Sequence, residues 1–165
     1  MTRRGAITGG LFAFLAGCAN RSQVYDGPEV TRVRLYKSQR LLVLDEATKP
    51  LRTYEAGLGF APTGHKQFEG DGKTPEGSYI IDRRNPNSMF HLSIGISYPN
   101  TADKAFAAAR GQSPGGDIFI HGGPRPGIDP MDKQDWTAGC IAVTDREIEE
   151  IYMMVRDGTP IDIYA

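Results

Sequence analysis

From residue 30 onward, apolar side chains fall on alternate positions. Val33, Leu35, Leu42 and Leu44 alternate with polar neighbours over two runs joined at Lys37-Ser38-Gln39-Arg40, the period of a β-hairpin with one buried face. A third strand is predicted over residues 51–56. Glycines at 57, 59, 64, 70, 72 and 77, with prolines at 62 and 75, then break the pattern into a loop that closes at Thr74-Pro75-Glu76-Gly77. Strands are predicted again over 78–82, 90–94, 117–121 and 160–164. Two stretches carry helical signals instead. Residues 102–110 are alanine-rich and stop at Gly111. Over 145–157, Thr144 and Glu147 make a capping box, Ile148, Ile151, Tyr152 and Val155 share one face, and Gly158 with Pro160 ends the helix. The sum is a mostly β, α+β domain over residues 30–165: a curved mixed β-sheet or open barrel with two short helices and its functional residues on loops.

Composition narrows the function classes. The chain has 165 residues, 39% hydrophobic and 24% charged, with a formal net charge of -1. Collagen-like, disordered and polyionic readings fail on those values, and the charge gives no reason to expect nucleic acid as a partner. Twenty glycines and eleven prolines argue against an all-α bundle.

The N-terminal block is compositionally separate. Arg3 and Arg4 precede an uncharged run over 5–17 whose apolar core is Leu11-Phe12-Ala13-Phe14-Leu15, the pattern of a secretory signal. It ends in Leu15-Ala16-Gly17-Cys18, which resembles the bacterial lipobox. That resemblance implies a lipoprotein signal peptide over 1–17, lipidation of Cys18 and a polar linker over 18–29. Thr2-Arg3-Arg4 leaves Sec and twin-arginine export both open. The implied place is the periplasm, with the lipid as the sole membrane contact. Ala19 stands where an Asp retains lipoproteins in the inner membrane, which favours the outer membrane.

With Cys18 assigned to lipid, Cys140 has no disulfide partner within the chain, and an unpaired thiol in an oxidising compartment requires a reason. It sits in Trp136-Thr137-Ala138-Gly139-Cys140-Ile141-Ala142-Val143, where small residues leave backbone N–H groups accessible beside a nucleophile. His121 ends a predicted strand at His121-Gly122-Gly123, where missing side chains would let a substrate approach. A thiolate is strongly nucleophilic and imidazole can take its proton, so the pair suits nucleophilic catalysis. His91 fits a structural ring beside a cleft as well as a binding role, and His65 reads as a loop residue. Trp136 reads as cleft wall or core. Arg125, Asp129, Asp132, Lys133 and Asp135 read as a solvated charged loop. Close ligand pairs such as Cys-x-x-Cys or His-x-x-x-His do not occur, so no metal and no other cofactor is expected. Gly70-Asp-Gly-Lys-Thr lacks the spacing of a phosphate loop and reads as a turn with Lys73 solvated.

The stretches Gly70-Asp-Gly-Lys-Thr-Pro-Glu-Gly77, Phe90-His-Leu-Ser93, Ser97-Tyr-Pro-Asn100, Asp117-Ile-Phe-Ile-His-Gly122 and Asp135-Trp-Thr-Ala-Gly-Cys-Ile-Ala-Val143 together resemble the L,D-transpeptidase family with the YkuD-type catalytic domain. The likeness spans about residues 31 to 164. It implies a cysteine peptidyl-transferase acting on peptidoglycan stem peptides, with Cys140 as nucleophile and His121 as base. Gly139 and Cys140 N–H groups would form the oxyanion hole near the Thr137 hydroxyl, and His91, Trp136 and Gly122 would border the substrate cleft. On this pattern the acyl-enzyme passes to a stem amine, to a lysine of a wall-anchored lipoprotein, or to water. Many members read Ser-His-Gly-Cys, with Arg or Asn two residues after the cysteine. Here those positions hold Ala138 and Ala142, so part of the polar rim is missing and hydrolysis remains an alternative. A non-catalytic wall-binding lipoprotein is the rival of another class.

Overall fold

The computed structural model describes residues 25–127 and 134–165. The predicted signal peptide, Cys18 and most of its linker, and Asp129, Asp132 and Lys133 lie outside the described residues. β1 (Arg32–Tyr36) and β2 (Leu41–Glu46) form the expected antiparallel hairpin, pairing Val33 with Leu44 and Leu35 with Leu42. All four side chains are fully buried, as one-sided alternation requires. β3 (Lys49–Glu55) follows antiparallel to β2 and begins at Lys49 rather than residue 51.

The remaining strands are β4 (Gly77–Ser88), β5 (His91–Ile96), β6 (Phe119–His121), β7 (Ile141–Ala142) and β8 (Pro160–Tyr164). Together they make one eight-stranded mixed sheet in the order β3-β2-β1-β8-β4-β5-β6-β7. The β1/β8 and β6/β7 pairs are parallel and the other pairs antiparallel. β4 joins the two halves, because residues 77–80 pair with β8 while Ile81 to Ser88 pair with β5. Beyond β3 the chain crosses to the far end of this order. Gly57 and Ala142 exchange two backbone hydrogen bonds of 2.8 and 2.9 Å, and Thr137 bonds Leu58 and Phe60. These bridges bend the open sheet toward closure, in agreement with the expected curved mixed sheet. α1 (Thr101–Ala108) is capped by Asn100 in a capping box with Asp103, and α2 (Asp145–Met154) by Thr144 and Glu147. Ile148 and Ile151 are fully buried where α2 packs on β5.

The boundaries that depart furthest from the sequence reading are the ends of β4 and α2. β4 runs to Ser88, well past residue 82, although residues 82–88 are polar. Pairing with β5 sustains it, and Arg83 and Arg84 lie over the Phe119 and Tyr152 rings. α2 ends at Met154 rather than 157, because Arg84 bonds the carbonyls of Tyr152 and Val155 and Val155 turns to extended backbone. A guanidinium from the sheet thus satisfies oxygens that further helix would have bonded.

The glycine-rich loop packs tightly against the chain segment that carries Cys140. A Cβ on Gly59 would stand 2.1 Å from the Gly72 oxygen and 3.0 Å from Gly139 Cα. Gly59→Ala is therefore expected to lower stability by about 1–3 kcal/mol through overpacking, measured by urea denaturation. An unchanged midpoint would show that this contact of three backbones is not constraining.

Candidate active site

Strand periodicity brings His121 and Cys140 together. In the parallel β6/β7 pair, Ile120 aligns with Ile141 and His121 with Ala142. Ile120 and Ile141 are fully buried in the core, so His121 and Ala142 face the opposite side, and Cys140, two residues before Ala142, shares it. The same register continues across the sheet, pairing Asn85 with Ser93 and Ser93 with His121. Asn85, Ser93, His121 and Cys140 all line one cleft of about 240 Å³.

The His121 ring is buried, stacked on Phe90 at 4.5 Å and met edge-on by Trp136 at 5.5 Å. Its Nδ1 lies 2.7 Å from the Gly122 carbonyl oxygen. A carbonyl can only accept, so Nδ1 carries the hydrogen and Nε2 is the basic nitrogen. Gly122 itself packs tightly: a Cβ there would lie 2.5 Å from the Phe90 oxygen and 2.4 Å from Asp145 Oδ1. Its missing side chain serves the turn, correcting the expectation that it opens a path for substrate.

The cysteine loop is held by one hydroxyl. Thr137 Oγ1 donates to the Cys140 carbonyl at 2.7 Å and accepts from the Gly139 N–H at 3.1 Å. Gly139 has φ +137°, and a Cβ there would meet the Lys73 oxygen at 2.7 Å, which explains glycine before Cys140. The expected pair of oxyanion donors needs correction: the Gly139 N–H is engaged by Thr137, whereas the Cys140 N–H makes no hydrogen bond to the described residues.

The thiol is half-buried and bonds the Asp117 carbonyl at 3.5 Å instead of the imidazole. Burial pushes its pKa up, the Phe119 backbone N–H opposes that rise, and the Asp117 charge adds to it. A thiol raised in this way rests in its neutral form near neutral pH. A second cleft of about 230 Å³, bordered by Glu69, Gly116 and Ala138, reaches the same thiol. A cavity of about 270 Å³ beside Lys37 lies elsewhere. There Lys37 Nζ already donates to Gly64 O, Thr74 O and Glu76 Oε1.

The other singled-out residues serve the frame. His91 Nε2 meets Glu149 Oε1 at 2.6 Å on α2, and His91 does not line either cleft at Cys140. His65 accepts the Glu76 N–H at Nδ1 and donates through Nε2 to Asp103. Trp136 walls His121 and borders a different groove, together with Gly123 and Pro124. Two members of the supposed solvated loop are clamps: Arg125 makes a two-pronged pair with Asp145, and Asp135 bonds Arg40 and the Leu58 N–H. Arg125 and the Gly123 N–H hold the Asp145 carboxyl below its ordinary range against the effect of burial. The turn at Gly70 is built on Asp71, which accepts N–H groups of Gln67, Phe68 and Lys73 and the Lys66 ammonium. Sequence reasoning missed Asn85, Ser88, Phe119 and Asp117 as cleft residues. Asp117 and Phe119 stand within the motif around His121, but Asn85 and Ser88 carry no local signal, since pairing between distant strands assembles the cleft.

A buried imidazole at the end of β6 and a cysteine directly before β7 share one cleft of this mixed sheet, an arrangement suited to thiol chemistry. The YkuD L,D-transpeptidase catalytic domain model matches residues 31–163, and the chain belongs to that family. It is 30% identical over 129 residues to the "Putative L,D-transpeptidase YafK" of Escherichia coli (strain K12), covering 74% of this chain and 46% of that protein. The chain thus spans about half the length of the curated relatives it matches. The crystal structure of the helical cell shape determining protein Pgp2 from Campylobacter jejuni superposes with TM-score 0.64 at 28% identity, over 82% of this chain and 48% of that one. An L,D-transpeptidase from Mycobacterium smegmatis shares the fold at TM-score 0.55 and 14% identity, covering 82% and 59%.

Alkylation of Cys140 by iodoacetamide is expected to accelerate with pH through a midpoint above that of free cysteine. A midpoint below it would contradict the neutral resting thiol. Because the folded pKa lies above the unfolded one, the associated stability is full below the unfolded thiol range and is lost as pH rises through the folded value.

Proposed function

We propose that this protein is a cysteine acyl-transferase of peptidoglycan stem peptides, an L,D-transpeptidase in the strict sense. The observation that carries this reading is the placement of Cys140 and His121 in one cleft, with Nδ1 tied to the Gly122 carbonyl, which makes Nε2 the basic nitrogen. Cys140 attacks the carbonyl of the third stem residue as His121 Nε2 takes the thiol proton. The bond to the terminal D-alanine breaks, that proton goes to the departing amine, and a thioester remains on Cys140. An acceptor amine then attacks the thioester, an amide forms, and the thiol recovers a proton. The Cys140 N–H, which makes no hydrogen bond to the described residues, would receive negative charge on the carbonyl oxygen, where oriented donors act most strongly.

The second cleft at the thiol supports transfer to an amine, since it offers an acceptor a way in separate from the donor. A stem amine or a lysine of a wall-anchored lipoprotein would fit that role. Hydrolysis at the same carbonyl is the second reading, favoured by the methyl groups of Ala138 and Ala142 where relatives carry polar side chains. The resemblance of residues 15–18 to a lipobox supports a periplasmic protein tethered through Cys18, and Cys18→Ala should then release it from the membrane fraction.

The full chain incubated with disaccharide tetrapeptides is expected to release D-alanine and form dimers, read by mass spectrometry. Cys140→Ala and His121→Gln should each lower the rate at least about 1,000-fold while retaining the fold. Tripeptide without dimers would select hydrolysis. Undiminished turnover by Cys140→Ala would overturn the assignment.

A further inference from the structure

Two residues line both clefts at the nucleophile: Cys140 and Asp117. Asp117 sits at φ +54°, a left-handed conformation that costs most side chains energy but that Asp, Asn and Gly tolerate. That turn presses its carbonyl onto the thiol, 3.5 Å away, while its side chain stays 91% exposed. One carboxylate oxygen meets an Arg83 nitrogen at 3.3 Å, and Arg83 is shared with Asp82. The other oxygen makes no hydrogen bond among the described residues. Glu69 adds a second carboxylate to the cleft it borders. Lys66, the lysine lining that cleft, is buried with its ammonium on Phe68 O and Asp71. Two carboxylate residues thus border the approach to the thiol, with Arg83 the positive group paired to one of them.

We propose that Asp117 is a specificity-determining residue that binds a primary ammonium group on the substrate, namely the side-chain amine of the diamino acid whose carbonyl is presented to Cys140. The assignment rests on the function proposed above for that substrate class. A carboxylate here disfavours ionisation of the thiol, and it would oppose negative charge on the carbonyl oxygen of a reacting substrate. A bound ammonium offsets that charge when the substrate is in place, coupling recognition to activation. A purely conformational role would be met by glycine, which already occupies positions 115 and 116.

The test is binding of stem tetrapeptides, with the side-chain amine free or N-acetylated, to the full chain carrying Cys140→Ala, followed by calorimetry. The free amine should bind about tenfold more tightly, the scale of one charge-assisted hydrogen bond. Asp117→Asn and Asp117→Gly, both compatible with the backbone, should each abolish that preference while leaving the acetylated peptide unaffected. With Cys140 present, Asp117→Asn should also shift the alkylation midpoint of the thiol downward. Equal binding of the two peptides, or a preference that survives both substitutions, would overturn the assignment. Turnover is measured in parallel with Cys140 intact. A binding preference that depends on Asp117, without any release of D-alanine, would refute the transfer reading while the role of Asp117 stands.

Discussion

The site depends on a short parallel pairing. β7 contributes only Ile141 and Ala142 to the sheet, yet its register against β6 decides which side of the sheet Cys140 faces. A slip of one residue would turn the thiol into the core and Ile141 outward, since side chains alternate with period two. The pairing is secured on its other edge by the chain leaving β3, where Gly57 bonds Ala142 twice. Closing the sheet and aiming the Cys140 thiol are one event, and the glycines that allow close backbone approach belong to both.

Around that pairing, polar side chains hold backbone groups. Thr137 ties the two ends of the cysteine loop, and Asp135 joins that loop to Arg40 and Leu58. Asp145 at the start of α2 holds the Gly123 N–H and Arg125, fixing the turn after His121. Side chains at strand ends gain their precision from such supporting bonds. His121 is held as firmly, with Nδ1 on the Gly122 carbonyl and its ring stacked on Phe90.

Local signals made much of this visible in the sequence. The alternation at Val33, Leu35, Leu42 and Leu44 gives the hairpin, and Thr144 with Glu147 gives the start of α2, because each depends on neighbours in the chain. The motifs around His121 and Cys140 point to a site and a family. Sequence reading falls short where distant segments meet. The polar half of β4 holds its form through β5, and α2 stops where Arg84 arrives from the sheet. Asp135 looks like loop charge until Arg40 is seen beside it, and Asp117 gains meaning only from its place between two clefts. Gly139 is legible as a glycine, but its N–H is engaged by a hydroxyl two residues away, a competition that motif spacing does not reveal.

The central claim is that Cys140 becomes acylated by the stem peptide. Intact-protein mass spectrometry after rapid acid quenching of the full chain with tetrapeptide stems tests it most directly. The account predicts an adduct equal to the stem less D-alanine, mapped by proteolysis to the peptide containing Cys140 and absent from Cys140→Ala. Turnover without any such adduct, or an adduct on another residue, would contradict it.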